Sequence, residues 1–124
     1  MIFMRPLISV VDDDDSVRES LPDLLGELGF AVQAFAPAEE FLASNYVDQT
    51  KCLLLDIAMP GMSGPELQRE LLARQHNIPI VFITAYGDRN LRVHMLQQGA
   101  VDCLLKPFND TVLRHAVDAA LRVD

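Results

Sequence analysis

The chain has 124 residues, half of them hydrophobic, and a net charge of −8. That length suits one domain spanning 1–124 with its own core, and the apolar fraction excludes a disordered chain. An acidic surface repels phosphate backbones, so direct nucleic-acid binding by this domain is not expected, and no apolar run approaches the roughly 20 residues of a membrane span. The start, Met1 to Pro6, lacks the long apolar segment of a secretory signal, and Met1 to Met4 reads as a lead-in to a first strand. Cys52 and Cys103 have no metal-type spacing; each falls in an apolar run and reads as a reduced, buried thiol of a cytoplasmic protein.

Leu7 to Val11 is the first predicted strand, stopped by the run Asp12-Asp13-Asp14-Asp15. Val17, Leu21, Leu24, Leu25 and Leu28 follow at helical spacing, with Asp14 or Asp15 as cap and Gly29 as terminator. Pro22 lies inside this helix, removes a backbone donor opposite Arg18, and predicts a kink. Phe30 to Phe35 is the second strand. Pro37 opens a short helix that carries Phe41 and Leu42 inward. Cys52 to Asp56 is the third strand, an apolar run closed by one carboxylate and followed at once by a Pro60-Gly61 loop. A charge is costly in the middle of a buried strand, but at the C-terminal end it faces the crevice where open α/β sheets bind ligands.

Ser63-Gly64-Pro65-Glu66 has the spacing of a capping box, and Leu67, Leu71 and Leu72 form the stripe of the helix that follows, which Asn77-Ile78-Pro79 breaks. Ile80 to Ile83 is the fourth strand, ending at Thr84. A helix from Asp88 to Gln98 turns Leu91, Met95 and Leu96 inward and leaves Arg89 and Arg92 wet. Val101 to Leu105 is the fifth strand, followed by Lys106-Pro107-Phe108. The last helix pairs Val112-Leu113, Ala116-Val117 and Ala120-Leu121, with Arg114, Asp118 and Arg122 outside. Five strands alternating with five helices predict an α/β fold: a parallel sheet, doubly wound as (βα)5, with every strand's C-terminal end on one edge.

Asp12 and Asp13 end the first strand on that edge, Asp56 the third, Thr84 the fourth, and Lys106 follows the fifth. Singly, each has a bland reading as a turn residue, strand terminus or surface charge. Jointly they place three carboxylates, a hydroxyl and an ammonium where ligands bind. Clustered carboxylates repel unless a cation sits among them, and oxygen ligands with room for water suit Mg²⁺. A divalent ion, a lysine and a hydroxyl around a carboxylate make a phosphoryl site, with Asp56 as an oxygen nucleophile.

Over nearly its whole length the sequence resembles the receiver domain of two-component response regulators. The carrying stretches are Val10 to Asp14, Leu55 to Gly64, Phe82 to Ala85, and Lys106-Pro107-Phe108. Among receivers it is most similar to those of the helix-turn-helix, nitrate/nitrogen-fixation regulator type. The resemblance implies a flavodoxin-like strand order 2-1-3-4-5 and a phosphorylation-dependent signalling switch rather than an enzyme. It implies that Asp56 accepts phosphoryl from a partner histidine kinase or phosphotransfer protein. Asp13, Asp56 and the Ala58 carbonyl would bind Mg²⁺, Asp12 mainly through water. Lys106 would pair with the phosphoryl group, Thr84 would rotate toward it, and Pro107 would follow a cis peptide bond. The fourth helix, fifth strand and fifth helix would then carry homodimerisation or contact with a C-terminal DNA-binding domain outside this chain, controlling transcription.

Two positions depart from the family. Three residues before Lys106, where receivers carry a ring that works as a rotamer switch, stands Cys103; Tyr86, two residues after Thr84, is the nearest aromatic to take over. Two residues after Asp56, where many receivers have a polar side chain, stands Ala58. A methyl group and a phenol position water poorly, so Ala58 and Tyr86 imply a slowly hydrolysed acyl phosphate. Two alternatives remain in view. A phosphorylation-independent pseudo-receiver is compatible with Cys103. An aspartyl-phosphate phosphatase would need a second Asp where Ala58 stands.

Overall fold

A computed structural model describes residues 5–85, 87 and 89–122. Met1 to Met4, Tyr86, Asp88, Val123 and Asp124 lie outside the described residues, and with them the lead-in segment, the first residue of the predicted fourth helix and the aromatic considered as a switch. The elements run β1 (Leu7–Val11), α1 (Asp15–Glu27), β2 (Ala31–Phe35), α2 (Ala38–Ala43), a 3₁₀ turn (Val47–Gln49), β3 (Thr50–Asp56), α3 (Gly64–Ala73), β4 (Ile80–Thr84), α4 (Arg89–Gln97), β5 (Asp102–Leu105) and α5 (Asp110–Leu121). The strands form one parallel sheet in the order β2-β1-β3-β4-β5.

Strand parity divides the core into two layers. Leu53, Leu55 and Phe82 point to one face and pack with Phe41 of α2, Leu67 and Leu71 of α3 and Met95 of α4. Leu54, Val81 and Ile83 point to the other and pack with Leu21 and Leu25 of α1 and Leu113, Ala116 and Val117 of α5. Leu53, Leu54 and Leu55 are all fully buried, which is why β3 reads as an unbroken apolar run rather than an alternation. Each such leucine contributes roughly 2 kcal/mol of burial. Ser9 and Thr50 are the polar exceptions at the middle of β1 and the start of β3, and they satisfy each other through a 2.6 Å hydrogen bond between their hydroxyls.

The predicted caps form. Asp14 caps α1 by accepting from the Ser16 amide, and Ser63 and Glu66 close a reciprocal capping box on α3. α1 is assigned as one helix through Pro22. Several boundaries and faces differ from the sequence reading. β2 begins at Ala31, one residue after Phe30, and β5 at Asp102, one after Val101. α3 ends at Ala73, well before Asn77, because Gln75 takes a left-handed conformation with φ 65° that reverses the chain. Leu72 and Val112 were expected inside but are exposed. A helix buries only the stripe of about 100° or more that faces the sheet; Leu71 and Leu113 lie within it, and Leu72 and Val112 fall just outside.

Candidate functional site

The C-terminal edge of the sheet gathers the predicted residues. Asp56 closes β3, Thr84 closes β4, Asp12 and Asp13 follow β1, and Lys106 follows β5. Asp12 is fully buried, Asp56 and Thr84 nearly so, and Asp13 is exposed. One carboxylate oxygen from each of Asp12, Asp13 and Asp56 lies within 4.8 Å of the other two. The second strand brings nothing polar to this edge, ending in the buried Phe35.

Backbone contacts fix these positions. The Lys106 amide donates to the Thr84 carbonyl at 2.8 Å, tying the lysine's base to the hydroxyl's strand. The Lys106–Pro107 peptide is cis, as the resemblance implies, and so is Ala36–Pro37, which the sequence did not reveal. Gly64 starts α3 against the backbone of β3: a Cβ there would meet the Asp56 carbonyl oxygen at 2.3 Å. No other residue fits at that approach without moving the strand end that holds Asp56.

The electrostatics are those of a crowded anionic cleft. Lys106 Nζ lies 2.9 Å from Asp12 Oδ2, an ion pair without hydrogen-bond alignment, so that this buried oxygen has no hydrogen-bond donor. Burial, and then the neighbouring Asp12 charge, push the Asp56 carboxyl up to about 7 despite the opposing pull of Lys106. Burial by itself would lower the Lys106 ammonium, but the contact with Asp12 and the charges of Asp12, Asp56 and Asp14 outweigh it and hold it above its ordinary range. An oxygen-only donor set, three carboxylates within one cation's reach, fits a hard divalent cation.

Cys103 faces α4 and is buried, with its thiol pushed up by burial and by the Asp102 charge. Beside it lies an open groove of about 350 Å³ lined by Thr84, Gly87, Leu91, Leu105 and the arginines Arg89 and Arg92. Leu105, two residues on, is about half exposed. Ala58 is exposed on the loop leaving β3. The sequence reading missed Arg18, which donates to the Asp12 main-chain oxygen at 2.9 Å. An arginine reaching back to a carbonyl six residues earlier matches none of the cap or turn spacings that mark side-chain-to-backbone bonds in sequence.

By its strand order and its two helical layers this is a flavodoxin-like α/β domain. Residues 8–118 match the family model for the response regulator receiver domain. The chain belongs to that family. Nodulation protein W of Bradyrhizobium diazoefficiens is 45% identical over 120 residues, covering 97% of this chain and 53% of that protein. The transcriptional regulatory protein FixJ of Azorhizobium caulinodans is 42% identical over 114 residues, covering 92% and 54%. The chain thus spans about half the length of the curated relatives it matches. Among solved structures, the response regulator StyR shares 47% identity with a TM-score of 0.86, covering 95% of this chain and 60% of that one. FixJ-N shares 38% with a TM-score of 0.83, covering 100% and 98%. No helix among the described residues is long and apolar enough to cross a membrane.

Proposed function

We propose that Asp56 accepts a phosphoryl group from a phosphohistidine of a partner histidine kinase or phosphotransfer protein, and that the product switches the domain's outer face. The observation that carries this is the placement of one nearly buried carboxylate among two others, a lysine and a hydroxyl on a single sheet edge. A carboxylate oxygen of Asp56 attacks phosphorus, the P–N bond breaks, and its electron pair returns to the imidazole. Lys106 is held at the cleft by Asp12 and supplies a positive charge to the incoming oxygens. Thr84, at the end of the neighbouring strand, supplies a hydroxyl to the bound phosphoryl. Asp13, Asp56 and the Ala58 carbonyl would hold Mg²⁺, with Asp12 behind them. Bound Mg²⁺ would neutralise charge on the carboxylates and the phosphoryl oxygens.

The groove that runs from Thr84 past Cys103 to Arg92 supports a route from Thr84 to α4, β5 and α5, where Arg89, Arg92 and Arg114 are exposed. That face would bind a second copy or an output domain. The names of relatives such as the transcriptional regulatory protein FixJ support a transcriptional role, exercised through a DNA-binding partner domain. The exposed Ala58 methyl offers no group to orient water, which supports slow loss of the phosphoryl group. The test is phosphorylation by a small-molecule donor or a kinase. Asp56→Asn should abolish acid-labile, hydroxylamine-sensitive phosphate, and incorporation at the wild-type level would overturn the assignment.

A further inference from the structure

Arg18 sits one turn into α1, and its guanidinium spans two groups of the acidic turn. Nη1 donates to the Asp12 main-chain oxygen at 2.9 Å, and Nη2 donates to the Asp15 carboxylate. With Arg18 on the carbonyl, each oxygen of Asp12 has either a hydrogen-bond donor or a counter-charge beside it. Oδ1 accepts from the Asp14 amide at 2.9 Å, Oδ2 faces Lys106 at 2.9 Å, and the carbonyl takes Arg18. The carbonyl matters most. It lies in the same rigid peptide plane as the nitrogen of Asp13, so fixing its direction fixes where the Asp13 side chain begins. Asp13 is exposed, and packing does little to place it.

We propose that Arg18 is a positioning residue for the cation site, orienting Asp13 through the Asp12–Asp13 peptide. The proposal rests on the reading that Asp12, Asp13 and Asp56 hold Mg²⁺. Arginine suits the task because its planar fork reaches a carbonyl and a carboxylate at once, which the single ammonium of lysine does not.

Positioning and simple electrostatics predict opposite signs. Removing a positive charge near a divalent-cation site should tighten Mg²⁺ by Coulomb attraction alone. Removing a support of the ligand geometry should weaken it, by about tenfold at the lower end of what outer supports of metal ligands are worth. Titration calorimetry with Mg²⁺ at fixed ionic strength, on wild type, Arg18→Gln and Arg18→Lys, decides between them, with circular dichroism to show that each is folded. The expected result is about tenfold weaker binding in Arg18→Gln and an intermediate loss in Arg18→Lys, which keeps the charge without the fork. Equal or tighter binding in folded Arg18→Gln overturns the proposal. If that variant does not fold, Arg18→Lys decides alone, and wild-type affinity there overturns it. Wild-type protein that takes up no Mg²⁺ overturns the cation-site reading itself, before any substitution is made.

Discussion

The two walls of the cleft are built to different standards. On the β3–α3 side, every residue of the strand except Lys51 is buried, the helix is closed by a reciprocal capping box, and Gly64, Leu67, Gln68 and Leu71 are all buried. Gly64 abuts the Asp56 carbonyl, so helix and phosphoacceptor backbone are effectively one piece. On the β4–α4–β5 side, Met95 is the single buried residue of α4, and a solvent-open groove of about 350 Å³ adjoins Thr84 and Cys103. Elements with few buried contacts open at lower free energy than well-packed ones. The difference assigns tasks: one wall holds the reacting oxygen still, and the other has room for a second packing.

The largest effect should come from breaking the rigid wall. Gly64→Ala puts a methyl 2.3 Å from the Asp56 carbonyl oxygen, so α3 or the end of β3 must shift. We expect a loss of about 3 kcal/mol, as for severe overpacking, read from the denaturant midpoint, together with reduced phosphoryl acceptance. Gly26→Ala is the control: it lies inside α1 with nothing within 4 Å of an added Cβ, and should be neutral or stabilising by about 0.5–1 kcal/mol. Equal losses at both glycines would refute the close-approach argument.

The same rigidity holds an unfavourable charge, which gives the second prediction. In metal-free protein the Asp56 carboxyl titrates near 7, against 3.8 for the unperturbed group. Below the lower value both states are protonated and no penalty exists. As pH rises between the two, the unfolded chain ionises while the folded one does not, so stability falls, and above the folded value the penalty is complete. Asp56→Asn escapes it. In chelator the variant should gain over wild type between about pH 4 and 7 and level off by pH 8. The gain should be about 1–2 kcal/mol after allowance for solvent at the cleft. Urea midpoints across that range check it; a gap independent of pH would place the charge elsewhere.

The smallest effect tests the loose wall. Cys103→Phe returns a ring to a position with an open groove beside it, and should slow amide exchange in α4 by an amount equivalent to roughly 0.5–1 kcal/mol. Unchanged or faster exchange would mean that the missing ring is not why α4 is loosely packed.

The residues that end strands were legible because burial confines charges to those ends, so Asp12, Asp13, Asp56, Thr84 and Lys106 stood out where apolar runs stopped. The capping box was legible for a similar reason: Ser63 and Glu66 act over one helical turn, and sequence preserves that distance. Three features were not. Leu72 and Val112 look identical to their buried neighbours, and only the rotation of the helix on the sheet decides which leucine or valine of a pair turns in. Arg18 reaches a carbonyl six residues back, outside any cap or turn spacing that sequence preserves. The closeness of Gly64 to Asp56 is a tertiary approach between segments that sequence shows only as a short loop.

Strand parity has a further consequence, for how this domain can change over generations. Leu53, Leu55 and Phe82 serve one layer, Leu54, Val81 and Ile83 the other, and no side chain belongs to both. Effects of substitutions in groups that do not touch tend to add. Substitutions on α1 can therefore accumulate, altering what docks against that helix, with little effect on how α3 and α4 pack on the opposite face. A lineage of duplicated copies could acquire new upstream partners by ordinary single substitutions, without first rebuilding the switch.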